Sequence, residues 1–136
     1  MKIYIGGSMH FAKEMLETQK KLEEMGFEVL VPADTEQCVE NPELNMDPDH
    51  TESMDIMRDS MMKLEDSDIF LVLNHPKNGM KGYIGGATLI EIGLAYYLKK
   101  KTFLLYTPPE KQVLRYTQEI LHTKPIILNG DIQKIK

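Results

Sequence analysis

Glu91 stands in the stretch Ala87 to Leu98, where Leu89, Ile90, Ile92, Leu94 and Ala95 make the surroundings apolar on most sides. A helix of that composition packs deeply on a sheet, and a carboxylate carried down with it must be paired, hydrogen-bonded or chemically useful. Ala87 and Thr88 lie one turn before Glu91 on the same helical face and Ala95 one turn after, so small neighbours leave room for a ligand. The plainer alternative is a glutamate that reaches solvent or a lysine such as Lys99 or Lys100. A second feature is Gly6-Gly7-Ser8, a glycine turn ahead of a helical segment, whose backbone N–H groups suit a phosphate or a sugar hydroxyl. It lacks the third glycine of a dinucleotide fingerprint and the lysine of a P-loop, and a tight turn needing small residues explains it equally well.

These residues must be positioned by the elements around them. Lys2 to Ile5 is β-prone, and the glycine turn separates it from a helix over about Phe11 to Met25, with Phe11, Met15, Leu22 and Met25 recurring at helical spacing. The segment FEVLVP follows as a second strand, which makes Lys2 to Pro32 a βαβ crossover and implies a parallel sheet. Residues Ala33 to about Asp49 are polar and acidic, with Pro42 and Pro48, and are expected to form a long loop, either a lid over a site or a floppy segment. A helix is expected from about Thr51 to Glu65, with Met54, Met57, Met61 and Leu64 on one stripe. The methionines between Met46 and Met62 are read mainly as core filling.

IFLVLN is then a buried strand, followed by a glycine-rich loop over Asn74 to Gly86 and the Glu91 helix. TFLLY and PIIL complete the strands, with a helix from about Pro109 to Leu121 between them. Alternating strands and helices predict one α/β domain over residues 1–136: a doubly wound, mostly parallel five-stranded sheet with helices on both faces, flavodoxin- or Rossmann-like. Ligands of such sheets bind beyond the carboxyl ends of the strands, where the glycine turn, the Asn74 to Gly86 loop and the start of the Glu91 helix are expected to meet.

At 136 residues, with 42% hydrophobic and 27% charged content, the chain is long enough for one core. A formal net charge of -5 gives no footprint for a long nucleic acid. Cys38 is the single cysteine, the opening MKIYIGG lacks a signal-peptide pattern, and no apolar run approaches the roughly 18 residues of a membrane span, so a cytoplasmic location is expected, with no membrane partner. His10 and His75 fall near the expected mouth, but two isolated histidines do not define a zinc site, and neither a metal nor a cofactor is expected. Lys99-Lys100-Lys101 reads as a cationic cap on a helix C-terminus.

The chain resembles the nucleoside 2-deoxyribosyltransferases and their relatives, the deoxynucleoside monophosphate N-glycosidases. The resemblance covers about residues 2 to 106. It rests on Tyr4 in "IYIGGS", the acidic helix "MDIMRDSMMKLEDSD", the glycine loop leading to "EIGLA", and the strand "KKKTFLLY". It implies an enzyme that cleaves an N-glycosidic bond through a covalent glycosyl intermediate, with Glu91 as nucleophile, Tyr4 orienting it, and transfer to another base or to water. A carboxylate suits an oxocarbenium-like transition state.

The family's helix aspartate, which positions the sugar or handles the leaving base, falls in register on Ser60; Asp59, one residue away, is the favoured occupant of the role, beside the alternative of a solvated helix face. Six residues before the nucleophile the family carries a sugar- or phosphate-recognising side chain, and this chain has Gly85. Substrate contacts are therefore expected from Gly6, Gly7, Ser8, Gly85, Gly86 and Thr88, with the amides at the helix start open to a phosphate. The expected partner is a small nucleoside or nucleotide, and the resemblance implies a homodimer or higher homo-oligomer. Two other readings remain: a nucleotide-binding module without turnover, and a phosphoribohydrolase of the cytokinin-releasing type, whose "PGGxGTxxE" is faintly echoed by "GGATLIE".

Overall fold

The computed structural model describes residues 1–136, apart from the side chains of Asn45 and Ser53. Five parallel strands form its sheet: β1 (Lys2–Gly6), β2 (Glu28–Leu30), β3 (Ile69–Val72), β4 (Lys101–Leu104) and β5 (Ile126–Ile127), in the order β2-β1-β3-β4-β5. The chain reverses its direction of winding between β1 and β3, where Tyr4 pairs with Phe70 and Gly6 with Val72. This is the switch point at which such sheets open a crevice.

Side chains alternate across the sheet with the period of two that a strand imposes. Ile3, Ile5, Leu71 and Phe103 point to one layer, where Met15 and Leu22 of α1 (Ala12–Glu24) close over them. Tyr4, Phe70, Val72 and Leu104 point to the other, against Leu64 of α4 (Ile56–Glu65), Ile92 and Ala95 of α5 (Gly86–Tyr97) and Ile120 of α6 (Thr117–His122). The doubly wound sheet read from the sequence is thus the observed one, with helix and strand ends shifted by a few residues.

Three expectations are corrected. Residues 33–50 are not an open loop: α2 (Thr35–Glu40), a 3-10 turn (Pro42–Met46) and α3 (Pro48–Ser53) occupy most of them. Pro42 and Pro48 sit in the first turns of their elements, where a missing N–H breaks no helical bond, so the prolines start helices here. Six-residue helices are also too short to display a period. Buried Thr35 and Cys38 anchor α2, and His50 Nε2 lies 3.0 Å from the buried carboxylate of Asp34, tying α3 down.

The helix expected from Thr51 to Glu65 is broken, because Asp55 takes a left-handed conformation (φ 45°, ψ 52°) between α3 and α4. Of the stripe expected to face the core, Leu64 is buried but Met54 and Met57 are exposed, as are Met46 and Met62 outside it, so these methionines lie on the surface and do not fill the core. Likewise the helix expected from Pro109 to Leu121 shrinks to α6. One turn closes on the Glu110 carbonyl through the amides of Val113 and Leu114, and burial of Leu114 then draws the chain inward before α6 begins.

One tie holds the loop after β3 to the loop after β4. Asn74 is fully buried; its Nδ2 donates to the Tyr106 carbonyl at 2.7 Å and its Oδ1 accepts from the Tyr106 N–H at 2.9 Å. Replacing Asn74 by alanine leaves both Tyr106 groups without these partners, and we expect a loss of about 2–4 kcal/mol. The check is a lower urea midpoint at unchanged m-value; a shift equivalent to less than about 0.5 kcal/mol would show the tie to be dispensable.

Candidate active site

Glu91 sits two turns into α5 and is 8% exposed. Burial raises its carboxyl from the ordinary 4.5 to about 7, while its interaction with Tyr4 acts in the opposite direction by favouring the ionised form. The carboxylate reaches the sheet because Gly6 leaves the space open. A Cβ at Gly6 would stand 2.7 Å from Phe70 Cε1 and 3.4 Å from Glu91 Oε1. Any larger residue at the end of β1 would therefore displace the Phe70 ring and crowd the carboxylate.

Tyr4 shares the face of Gly6, two residues on, and stacks against Phe70 with ring centres 5.8 Å apart and planes 12° off parallel. Desolvation first, and the neighbouring Glu91 charge second, hold its phenol well above the ordinary value, so Tyr4 stays a neutral donor. Glu91 and Ser60 both lie close enough to influence that ionisation, although the buried hydroxyl makes no hydrogen bond of ordinary geometry in this arrangement.

On α4 the two neighbouring candidates part company. Ser60 is buried and interacts with the Tyr4 hydroxyl. Asp59 is half-exposed, but its Oδ2 is turned inward, and there it forms an ion pair with Lys63 Nζ at 3.0 Å without the alignment of a hydrogen bond. Its charge is still felt at Tyr4. Lys63 also donates to the Val31 carbonyl at 3.1 Å, which fixes the ammonium between α4 and the end of β2.

Beyond the glycine turn, Gly7 packs its backbone against the Leu73 carbonyl, and Ser8 Oγ accepts from the His10 N–H at 3.3 Å. Lys77 donates from Nζ to Ser8 Oγ at 3.2 Å and lies 4.8 Å from the centre of the Tyr83 ring. The Tyr83 hydroxyl in turn lies beside Gly85, where a Cβ would meet it at 3.2 Å. Gly86 opens α5, and Thr88 is buried in its first turn. Glu91, Tyr4 and Gly6 thus form the centre, Asp59 and Ser60 one wall, and Ser8 with Gly85 and Gly86 the other.

Sequence reasoning did not single out Lys77 or Tyr83. The signal it passed over was Asn78-Gly79, a dipeptide that turns a chain sharply back on itself and so fixes its flanking side chains.

His75 packs edge-on between the rings of Phe11 and Tyr106, at 5.3 and 5.8 Å, and burial lowers its pKa, which favours a neutral ring. His10 lies 3.9 Å from Glu43. Among the described residues no group of three His, Cys, Asp or Glu side chains is arranged to hold a metal ion.

Two open grooves, of about 450 and 560 Å³, contain neither Glu91 nor Tyr4. The first lies along Thr107 to Gln112 and α6, away from the shifted carboxyl. The second, lined by Val31, Pro32, Thr35, Met54 and Lys63, abuts the site through the Lys63–Asp59 pair. Glu91 differs from both grooves in being a desolvated carboxylate set beside a phenol and an unobstructed glycine backbone.

Comparison with known proteins identifies the family and the fold. Residues 3–124 match the family model described as nucleoside 2-deoxyribosyltransferase. A solved structure of the CMP N-glycosidase BcmB from Clostridium botulinum has the same fold, with a TM-score of 0.50 and 24% sequence identity over 93% of this chain and 84% of that one. No curated protein matches the chain. With a family match that spans nearly all of the sheet and its helices, the chain belongs to the nucleoside 2-deoxyribosyltransferase family and is an enzyme of that type.

Proposed function

We propose that the protein cleaves the N-glycosidic bond of a nucleoside or of its 5′-monophosphate through a covalent glycosyl–Glu91 intermediate. The observation that carries this reading is the buried Glu91 carboxylate beside Tyr4 and Gly6, at the carboxyl edge of β1 and β3. Glu91 attacks the anomeric carbon as the bond to the base nitrogen breaks, and the departing base keeps the bonding electron pair and takes up a proton. Water, or the nitrogen of a second base, then attacks the same carbon and frees the glutamate. Net charge at the anomeric centre peaks in the oxocarbenium-like transition state, and the desolvated carboxylate stabilises it there.

Tyr4 acts as a positioning residue. Its phenol turns toward Glu91, holds one carboxylate oxygen and leaves the other free to attack. Asp59 lies at the edge of the site, where it serves the sugar or the leaving base, and Ser60 offers a competing partner for Tyr4. The backbone of Gly6, Gly7, Gly85 and Gly86, with Ser8 and Thr88, lines the space for the sugar. A homodimer or larger assembly is part of the proposal, built on the apolar surface left by Met57 and Met62 on α4 and by Ile90, Tyr96 and Tyr97 on α5, all exposed in the single chain.

Deoxynucleosides and their 5′-monophosphates, incubated with and without an acceptor base, should release free base, and Glu91→Ala should lower kcat by about a thousandfold or more. Ligand binding with no base release from any of them would instead identify a binding module. New nucleoside in the acceptor samples marks a transferase, and its absence alongside base release a hydrolase.

The ionisation of Glu91 sets the pH profile. A nucleophile with a carboxyl near 7 is ionised above that value, so kcat/KM should fall about tenfold per pH unit below it. Tyr4→Phe removes an interaction that favours the anion and should move this acid limb to higher pH. An acid limb near 4.5 in the wild-type enzyme would contradict the assignment.

The same shift acts on stability. Because the folded carboxyl is raised, the folded state holds its proton more tightly than the unfolded state does. Stability is therefore greatest below 4.5 and declines as pH rises through about 7. At about 1.4 kcal/mol per pH unit, the ionised carboxylate costs folding on the order of 3 kcal/mol above neutrality. Glu91→Gln should accordingly raise Tm at pH 8 and leave it nearly unchanged at pH 4.5. A Tm that falls equally at both values would mean that the carboxylate is structural. Light scattering tests the assembly, and a monomer mass at micromolar concentration would remove it.

A further inference from the structure

Lys77 is held on partners that carry no negative charge. Its ammonium donates to Ser8 Oγ at 3.2 Å and lies over the Tyr83 ring at 4.8 Å, and among the described residues it makes no ion pair. Lys2 and Lys63, also half-buried, each reach a carboxylate instead. A half-buried cation on a hydroxyl and a ring face is incompletely compensated and attracts an anion.

The ammonium is also fixed in place. Lys77 and Met80 exchange both backbone hydrogen bonds, at 3.0 and 2.9 Å, around Asn78 and Gly79, which have φ of 51° and 77°. Positive φ at both central residues is the tight two-residue hairpin turn that sets the direction of its flanking side chains. The base of this hairpin is clamped as well: Asn74 binds both backbone groups of Tyr106, and the Gly82 backbone lies so near Thr107 that a Cβ there would be 2.1 Å from its carbonyl oxygen. A lysine ordered this way surrenders less freedom on binding than a free surface lysine.

Its position relates directly to Glu91. Gly6 faces Glu91 Oε1, and Ser8 is two residues further along the chain, a span of at most about 7 Å. An anion on Lys77 and Ser8 would thus stand about one sugar ring away from an anomeric carbon on Glu91, the separation between the anomeric carbon and the 5′ substituent of a nucleotide.

We propose that the Lys77 ammonium and the Ser8 hydroxyl form a 5′-phosphate seat, so that the substrate is a nucleoside 5′-monophosphate in preference to a free nucleoside; this rests on the N-glycoside-cleaving reading of Glu91. Lys77 takes the place of the recognition side chain that Gly85 lacks, reaching the same end of the sugar from the hairpin. Ser8 accepts from Lys77 and donates its own proton to a phosphate oxygen.

The test is calorimetric binding of the four common deoxynucleoside 5′-monophosphates and the four matching deoxynucleosides to the full chain and to its Lys77→Ala, Lys77→Arg and Ser8→Ala variants, with free base followed by chromatography in the same samples. At least one monophosphate should bind about 10- to 100-fold more tightly than its nucleoside, as expected for charge-assisted hydrogen bonds to a phosphate. Lys77→Ala should reduce that ratio to within about threefold of unity, and Lys77→Arg should keep most of it; thermal melts confirm that the variants fold. Lys111→Ala, which removes an exposed lysine elsewhere, controls for net charge.

Equal affinity for both classes, a preference that survives Lys77→Ala, or no monophosphate binding at all would each overturn the phosphate seat. Base release is read separately. Lys77-dependent monophosphate binding without base release overturns the glycosidic reading while keeping the seat. Base release without preference does the reverse.

Discussion

The arrangement turns on the burial of one carboxylate. Glu91 lies on a helix that packs against the central strands, and water is kept from it by Phe70, Tyr4 and the helix itself. In the proposed reaction burial supplies the chemistry, because a desolvated carboxylate near neutrality is a better match for a developing oxocarbenium ion than a hydrated one. It also imposes a constraint, since an ionised group in such a place destabilises the fold unless its surroundings compensate. The compensation is local and comes from the Tyr4 phenol, while Gly6 leaves the room the carboxylate needs.

That constraint explains several features of the surrounding elements. Tyr4 occupies the middle of β1, an interior strand of the sheet, with no exposed area, a position that most folds give to an aliphatic residue. Its ring stacks on Phe70, so apolar packing locates a hydroxyl that is then available to a carboxylate. Gly6 ends the same strand because the Phe70 edge and Glu91 already fill the volume a side chain would need. Further out, the hairpin carrying Lys77 is tied through Asn74 to the loop after β4.

Much of the fold was legible because its signals are local and repeated. Buried strands such as IFLV read as continuous apolar runs, α1 shows a sustained helical period, and their alternation implies a parallel sheet. What misled was short or conditional structure. Pro42 and Pro48 begin elements that are only five and six residues long, too brief to leave a period. Asp55 breaks a stripe of methionines that looks continuous in the sequence, and the left-handed turn responsible is a property of one residue in its setting.

The sequence by itself determined the alternation of strands and helices, the parallel doubly wound sheet that follows from it, and the unusual presence of Glu91 on an apolar helix, because hydrophobic period and residue type are properties of neighbours along the chain. Its likeness to a known family also pointed to Tyr4. Tertiary structure alone decided how Asp59 and Ser60 divide their contacts, one paired with Lys63 and the other turned toward Tyr4. It alone set Lys77 on Ser8, across 69 positions of sequence. Such contacts follow from strand pairing and helix rotation, which side-chain packing over the whole core settles, and no short window of residues records them.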